Sequence, residues 1–126
     1  MYEQQEKDEP LVGVNSLAER YSLTPGTIRT WLRSGILPGQ HVRGRWATTW
    51  DTVFAFEGRV ASPRGEAREA AKRPFWTVEK VAEHFGRPTT TVREWFRKGT
   101  LDGRKIMDEW YTDAIAIRDF LGRRRA

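Results

Sequence analysis

Apolar residues recur at helical spacing in two stretches that mirror each other. Val14, Leu17, Ala18 and Tyr21 stand at i, i+3, i+4 and i+7, and so do Val78, Val81, Ala82 and Phe85. Such a stripe predicts a short helix with one buried side. Ser22-Leu23 and Gly86-Arg87 interrupt it. A second stripe runs through Ile28, Trp31 and Leu32, matched by Val92, Trp95 and Phe96. Thr24 is placed to cap that second helix, Pro25 suits its first position, and Gly35 ends it. Its counterpart begins at Pro88 or Thr89 and stops at Gly99. Thr77 is the cap expected for the first helix of the second set, with Gly13 a weaker one in the first.

The period then changes. Gln40–Arg43 and Arg45–Thr48 alternate around Gly44, which predicts a small hairpin. Its copy is Arg104–Met107 and Trp110–Thr112, with the turn expected at Asp108-Glu109. A closing helix follows, capped by Thr48 or Thr112. It turns Trp50, Val53 and Phe56 inward in one copy and Ala114, Ile117, Phe120 and Leu121 in the other, and ends at Gly58 or Gly122.

These parallels belong to one repeat: residues 14–59 return as 78–123 without a gap. Arg29, Trp31, Arg33, Gly35, Leu37, Gly39 and Trp46 come back as Arg93, Trp95, Arg97, Gly99, Leu101, Gly103 and Trp110. Two copies are too few for a solenoid, so each is a domain of roughly 50 residues, near the lower limit for folding alone. The expected class is mainly α with small β-hairpin wings: two tandem winged helix-turn-helix domains at 11–59 and 75–126. An acidic tail at 1–10 precedes them and a linker at 60–74 joins them. Pro63, Gly65 and Pro74 punctuate that linker, and Glu66–Lys72 suits a helical turn or two. Fully extended, its 15 or so residues reach roughly 50 Å, enough for neighbouring major grooves about 34 Å apart.

Composition narrows the chemistry. Six tryptophans and 12% aromatic residues supply bulk for small cores, and there is no cysteine for disulfides or thiolate-bound zinc. Trp31, Trp95, Trp46 and Trp110 recur on apolar faces and read as core. No stretch approaches the ~20 apolar residues of a membrane span, and the first ten residues do not resemble a signal peptide. A cytoplasmic protein is expected. The net charge is +5, and Glu3, Glu6, Asp8 and Glu9 make the tail acidic, so the rest is more basic still. A basic body with a pI near 10.0 makes a polyanion the leading partner.

The second helix of each copy carries the candidate contacts. Gly26, Arg29, Thr30 and Arg33, and Thr90, Arg93, Glu94 and Arg97, lie opposite its buried stripe. Arginine and threonine there suit base edges and phosphates in a major groove. Thr27 and Thr91 stand near the helix starts, where phosphate or base is in reach. The first wing adds His41, Arg43 and Arg45; the second keeps Arg104 and Lys105 but carries acids at its turn, whose tip is expected to face solvent or a protein partner. His41 and His84 occupy unrelated repeat positions and lack ligand neighbours, so no metal or other cofactor is expected. No phosphate loop, nucleophile elbow or repeated carboxylate pair suggests an enzyme. No small-molecule ligand is expected either.

The run Thr77–Gly86 resembles the first helix of the MerR-like winged domains of phage excisionases. Val92–Leu101 is similar to their recognition helix and its glycine stop, and Trp110–Asp113 with Ile117–Leu121 to their second wing strand and closing helix. The first copy departs more, at Ser22-Leu23-Thr24 and at Trp50. The resemblance implies double-stranded DNA binding, with the second helix in the major groove and the wing on the adjoining minor groove or backbone. It does not fix the biology; the preferred role is an accessory factor steering site-specific recombination of a phage or mobile element, with an integrase, recombinase or other protein as a further partner through the tail or second wing. Transcriptional regulators and packaging-type DNA recognisers share the module. A protein-interaction domain is the rival from another class.

Overall fold

The computed structural model of the protein describes residues 9–125. Glu3, Glu6, Lys7 and Asp8 of the acidic tail lie outside them. The chain divides into two compact units between Lys72 and Arg73. The architecture is mainly helical, with two small three-stranded antiparallel sheets.

The first unit contains β1 (Val12–Gly13), α1 (Val14–Tyr21), α2 (Pro25–Ser34), β2 (Gln40–Val42), β3 (Arg45–Thr48), α3 (Trp50–Phe56) and α4 (Gly65–Ala71). Thr24 caps α2 by accepting from the Thr27 amide, and Pro25 opens the helix, as its fixed φ favours. Gly13 stands before α1 without a side-chain cap bond. Ser22 closes α1 at φ 56, a left-handed position that the second unit gives to Gly86 at φ 63. The core gathers Leu17 and Tyr21 from α1, Ile28, Trp31 and Leu32 from α2, Leu37, and Val53 and Phe54 from α3.

The second unit repeats the order: β4 (Trp76–Thr77), α5 (Val78–Phe85), α6 (Thr89–Lys98), β5 (Arg104–Ile106), β6 (Glu109–Thr112) and α7 (Ala114–Arg125). Thr77 caps α5 by accepting from the Lys80 amide, 3.1 Å away. Val78, Val81, Val92, Phe96, Leu101, Ile117 and Phe120 form its core, with Trp95 and Trp110 half-buried against it. Trp110 lies flat on Phe96, centroids 5.3 Å apart and planes 8° apart.

Both units use the same loop under the second helix. Leu37 and Leu101 are fully buried, and their amides donate to Trp31 and Trp95 carbonyls. The strand that follows passes so close that only glycine fits. A Cβ on Gly39 would lie 2.8 Å from the Ala47 carbonyl oxygen and 2.5 Å from the Leu32 side chain. One on Gly103 would lie 2.8 Å from the Tyr111 carbonyl oxygen and 2.6 Å from the Phe96 ring.

Several expectations are corrected. Each wing is three-stranded rather than a hairpin, because the chain before the first helix pairs with the outgoing wing strand: Val12 opposite Thr48, Trp76 opposite Thr112. Thr48 and Thr112 do not cap the closing helices. Their hydroxyls donate to the Pro38 and Asp102 carbonyls at 2.7 and 2.6 Å, tying wing to loop. Thr49 caps α3, and the Asp113 carboxylate accepts from the Ala116 amide at the start of α7. Gly122 lies inside α7 and ends nothing. The second hairpin turns at Met107-Asp108, with Glu109 already paired to Ile106. Both turns put two residues at positive φ, Arg43 and Gly44 at 53° and 80°, Met107 and Asp108 at 50° and 67°. This is the two-residue turn whose twist suits a hairpin. Val42 is exposed where its counterpart Ile106 is buried.

The largest correction concerns the linker. Its residues 65–71 are helix α4, which belongs to the first unit. Arg68, 8% exposed, donates to Glu9 at 2.6 and 2.9 Å and to Asp51 at 3.0 Å. Lys72 lies 2.6 Å from Glu9. Glu9, assigned by sequence to the tail, is therefore a structural residue. Its bonds to Arg68 and Lys72 outweigh burial and hold its carboxyl down to about 2, against an ordinary 4.5. A carboxyl with a lowered folded value adds stability that is fully present above pH 4.5 and lost as pH falls through 2. That stability is on the order of 3 kcal/mol. In urea titrations across this range, Glu9→Gln should start lower at pH 7 and lose less on acidification than the wild type. Identical pH profiles would refute the assignment.

Candidate nucleic-acid interface

Burial of Ile28, Trp31 and Leu32 dictates which side of α2 faces outward. Gly26, Arg29, Thr30 and Arg33 occupy it, all exposed. Beside it, the wing and the start of α1 enclose an open groove of about 740 Å³, lined by Asn15, Ser16, Arg29, His41, Arg45 and Trp46. Trp46 is half-buried and meets the His41 ring edge-on at 5.1 Å. Arg43 stands at the wing turn. Among the described residues none of Arg29, Arg33, Arg43 and Arg45 has a carboxylate partner. The first unit thus brings Arg29 and Arg45 into one groove, with Arg33 one turn further along α2 and Arg43 at the wing turn, and among the described residues no carboxylate offsets them.

The threonines behave differently. Thr27 shares a 3.0 Å hydrogen bond with the capping Thr24 hydroxyl. Thr30 donates to the Gly26 carbonyl at 3.0 Å, and Ser34 to Thr30 at 2.7 Å. The Thr30 and Ser34 hydroxyls thus donate within the helix, a common fate of these residues in helices.

In the second unit the same frame carries other charges. Arg93 lies 3.7 Å from Glu79, whose counterpart is Asn15. Arg97 pairs with Glu94, whose counterpart is Thr30, and Lys98 lies 3.3 Å from the same carboxylate. Asp108 and Glu109 stand where the first wing has Gly44 and Arg45. Burial first, then Glu109 and Glu79, push the Tyr111 phenol up to about 12. Thr90 and Thr91 flank Glu94 and Lys98 along a shallow groove. Arg104 and Lys105 project to opposite faces of β5. Lys105 lies 5.9 Å above the Trp110 ring, while Arg104 lines a recess with Phe75, Asp102 and Asp113.

Sequence reading missed a buried polar cluster in the first unit. Arg20, 1% exposed, donates to both Glu57 carboxylate oxygens at 2.7 and 2.9 Å and to the Ala71 carbonyl at 2.7 Å. The Tyr21 hydroxyl donates to Glu57 at 2.6 Å. Burial and the Glu57 charge raise the Tyr21 phenol well above its ordinary range. The signal was the mismatch between copies: Arg20, Tyr21 and Glu57 stand where the second has His84, Phe85 and Leu121. Trp50 and Phe54 likewise replace Ala114 and Arg118. This extra side of α3 is what α4 covers, with Arg68 5.4 Å above Phe54.

Among the described residues no group of His, Asp or Glu is arranged to hold a metal ion, and no helix is long and apolar enough to cross a membrane. No protein-family model, curated protein or solved structure matches the chain.

Proposed function

We propose that the chain is a double-stranded DNA-binding protein built of two winged helix-turn-helix units, and not an enzyme. The observation carrying this is the outward face of α2 and its wing: Arg29 and Arg45 line one groove, Arg33 and Arg43 are exposed on the same helix and wing, and among the described residues none has a carboxylate partner. An α-helix bearing arginines suits a major groove, and the basic wing beside it suits the flanking phosphates. Two copies of the surface on one chain support two half-sites bound by a monomer. Resemblance of both copies to excisionase winged domains favours an accessory role in site-specific recombination, in a cytoplasmic setting and with a recombinase as further partner. Footprinting DNA from the gene's neighbourhood separates the roles: protection inside an attachment site supports recombination, and protection over a promoter supports transcriptional regulation.

The decisive test is binding itself. The intact chain should shift duplex DNA with an affinity that falls steeply with salt, as counterion release requires. Arg29→Ala and Arg33→Ala should each weaken specific binding by about 1–3 kcal/mol while leaving thermal unfolding unchanged. Arg43→Ala/Arg45→Ala should flatten the salt slope by roughly 0.9 per lost phosphate contact. Wild-type binding by folded variants would sink the proposal.

A further inference from the structure

The two outward faces share a backbone but not a chemistry. At the four groove-facing positions the first unit offers Gly26, Arg29, Thr30 and Arg33; the second offers Thr90, Arg93, Glu94 and Arg97. Thr30 has its hydroxyl committed to Gly26, which leaves a methyl for outside contact. Glu94, at the same place, presents a carboxylate that is 37% exposed and held by Arg97 and Lys98. A pair at this spacing on a surface helix adds little to helix stability, so folding alone gives weak reason for an acid here. Against a polyanion an acid is a handicap unless it finds a donor. The major groove offers two amino donors, cytosine N4 and adenine N6; the adenine amino group stands beside the N7 acceptor, which repels a carboxylate, so the cytosine edge is the better match.

We propose that Glu94 is the specificity-determining residue of the second unit, its carboxylate accepting from a cytosine amino group while Arg97 and Lys98 offset its charge near phosphate. The inference rests on the DNA-binding reading above. It makes the units unequal: the first anchors through uncompensated arginines, and the second discriminates. Unlike half-sites follow, the one under α6 carrying a required cytosine and the one under α2 tolerating thymine, whose methyl suits Thr30.

The experiment is selection of the intact wild-type chain, Glu94→Gln and Glu94→Thr on duplexes with both half-sites randomised. Circular dichroism melts confirm that each variant is folded. The wild type should select cytosine at one position of the second half-site, by roughly 5- to 150-fold over other bases. Glu94→Gln should move that preference to adenine, whose N6 and N7 atoms suit an amide. Glu94→Thr should lose the cytosine preference and bind unrelated DNA more tightly, one carboxylate having been removed. The first half-site should stay the same in all three. A merely structural ion pair would leave base identity untouched. An unchanged second half-site in both variants, or a second half-site without selection in the wild type, overturns the role of Glu94 alone. Absence of salt-dependent binding and of any selected motif overturns the functional reading beneath it.

Discussion

Replacing Glu57 with leucine, the residue its own repeat carries at Leu121, should destabilise the first unit by about 3–5 kcal/mol. Leucine is apolar and fills similar space, so hydrophobicity alone argues for little loss. The cost comes from what remains. Arg20 is 1% exposed and would lose both carboxylate bonds, and the Tyr21 hydroxyl its acceptor. Breaking a buried pair strands a charge, whereas exchanging every member for the set the second unit carries leaves no permanent charge without its partner. The triple exchange Arg20→His/Tyr21→Phe/Glu57→Leu, which copies the second unit, should therefore recover most of the loss. It should remain about 1 kcal/mol below wild type, because the Ala71 carbonyl loses the Arg20 donor. Hydrogen exchange of the α1 and α3 amides reads the effect within the first unit. A loss below 1 kcal/mol for Glu57→Leu, or a triple variant as unstable as the single, would show that the cluster does not hold the unit together.

The helices were legible because each has a stripe and an end marker: Thr24-Pro25 before Ile28, Gly35 after Leu32. Gly39 and Gly103 recur for a reason the sequence hides, since the obstructing Ala47 and Tyr111 carbonyls become neighbours only through folding. β1 and β4 were invisible, as two residues are too few to alternate. The second turn was misplaced by one residue because Met107 adopts a positive φ that side chains rarely take. Helix α4 was read as linker because its anchor Arg68 finds Glu9 and Asp51 at sequence separations of 59 and 17. The unequal wings were legible in Asp108-Glu109, but matching arginines hid how far the faces of the second helices differ. Their neighbours set that difference, and Asn15/Glu79, Thr30/Glu94 and Arg45/Glu109 were open to inspection in the aligned copies.

Placing α4 in the first unit changes the expected DNA site. Lys72 is tied to Glu9 and Glu69, and Phe75 is buried against Tyr111 in the second unit. At most Arg73-Pro74 remains between, a reach of no more than about 7 Å rather than 50 Å, stiffened by proline. Joining two modules makes the second contact intramolecular and raises affinity by about 10²–10⁴-fold, but only where the connection allows both to engage. A connection this short should confine that gain to one half-site spacing. Moving the half-sites apart by five base pairs, half a helical turn, should cost the intact chain at least 100-fold, on the order of the whole gain. Inserting about 12 Gly/Ser residues between Lys72 and Arg73 should restore binding at the altered spacing while weakening it at the natural one, because a longer flexible tether lowers effective concentration. Anisotropy titrations of both proteins on the two duplexes supply the four affinities. Equal affinity of the unaltered chain for both spacings would show that its units do not engage DNA together.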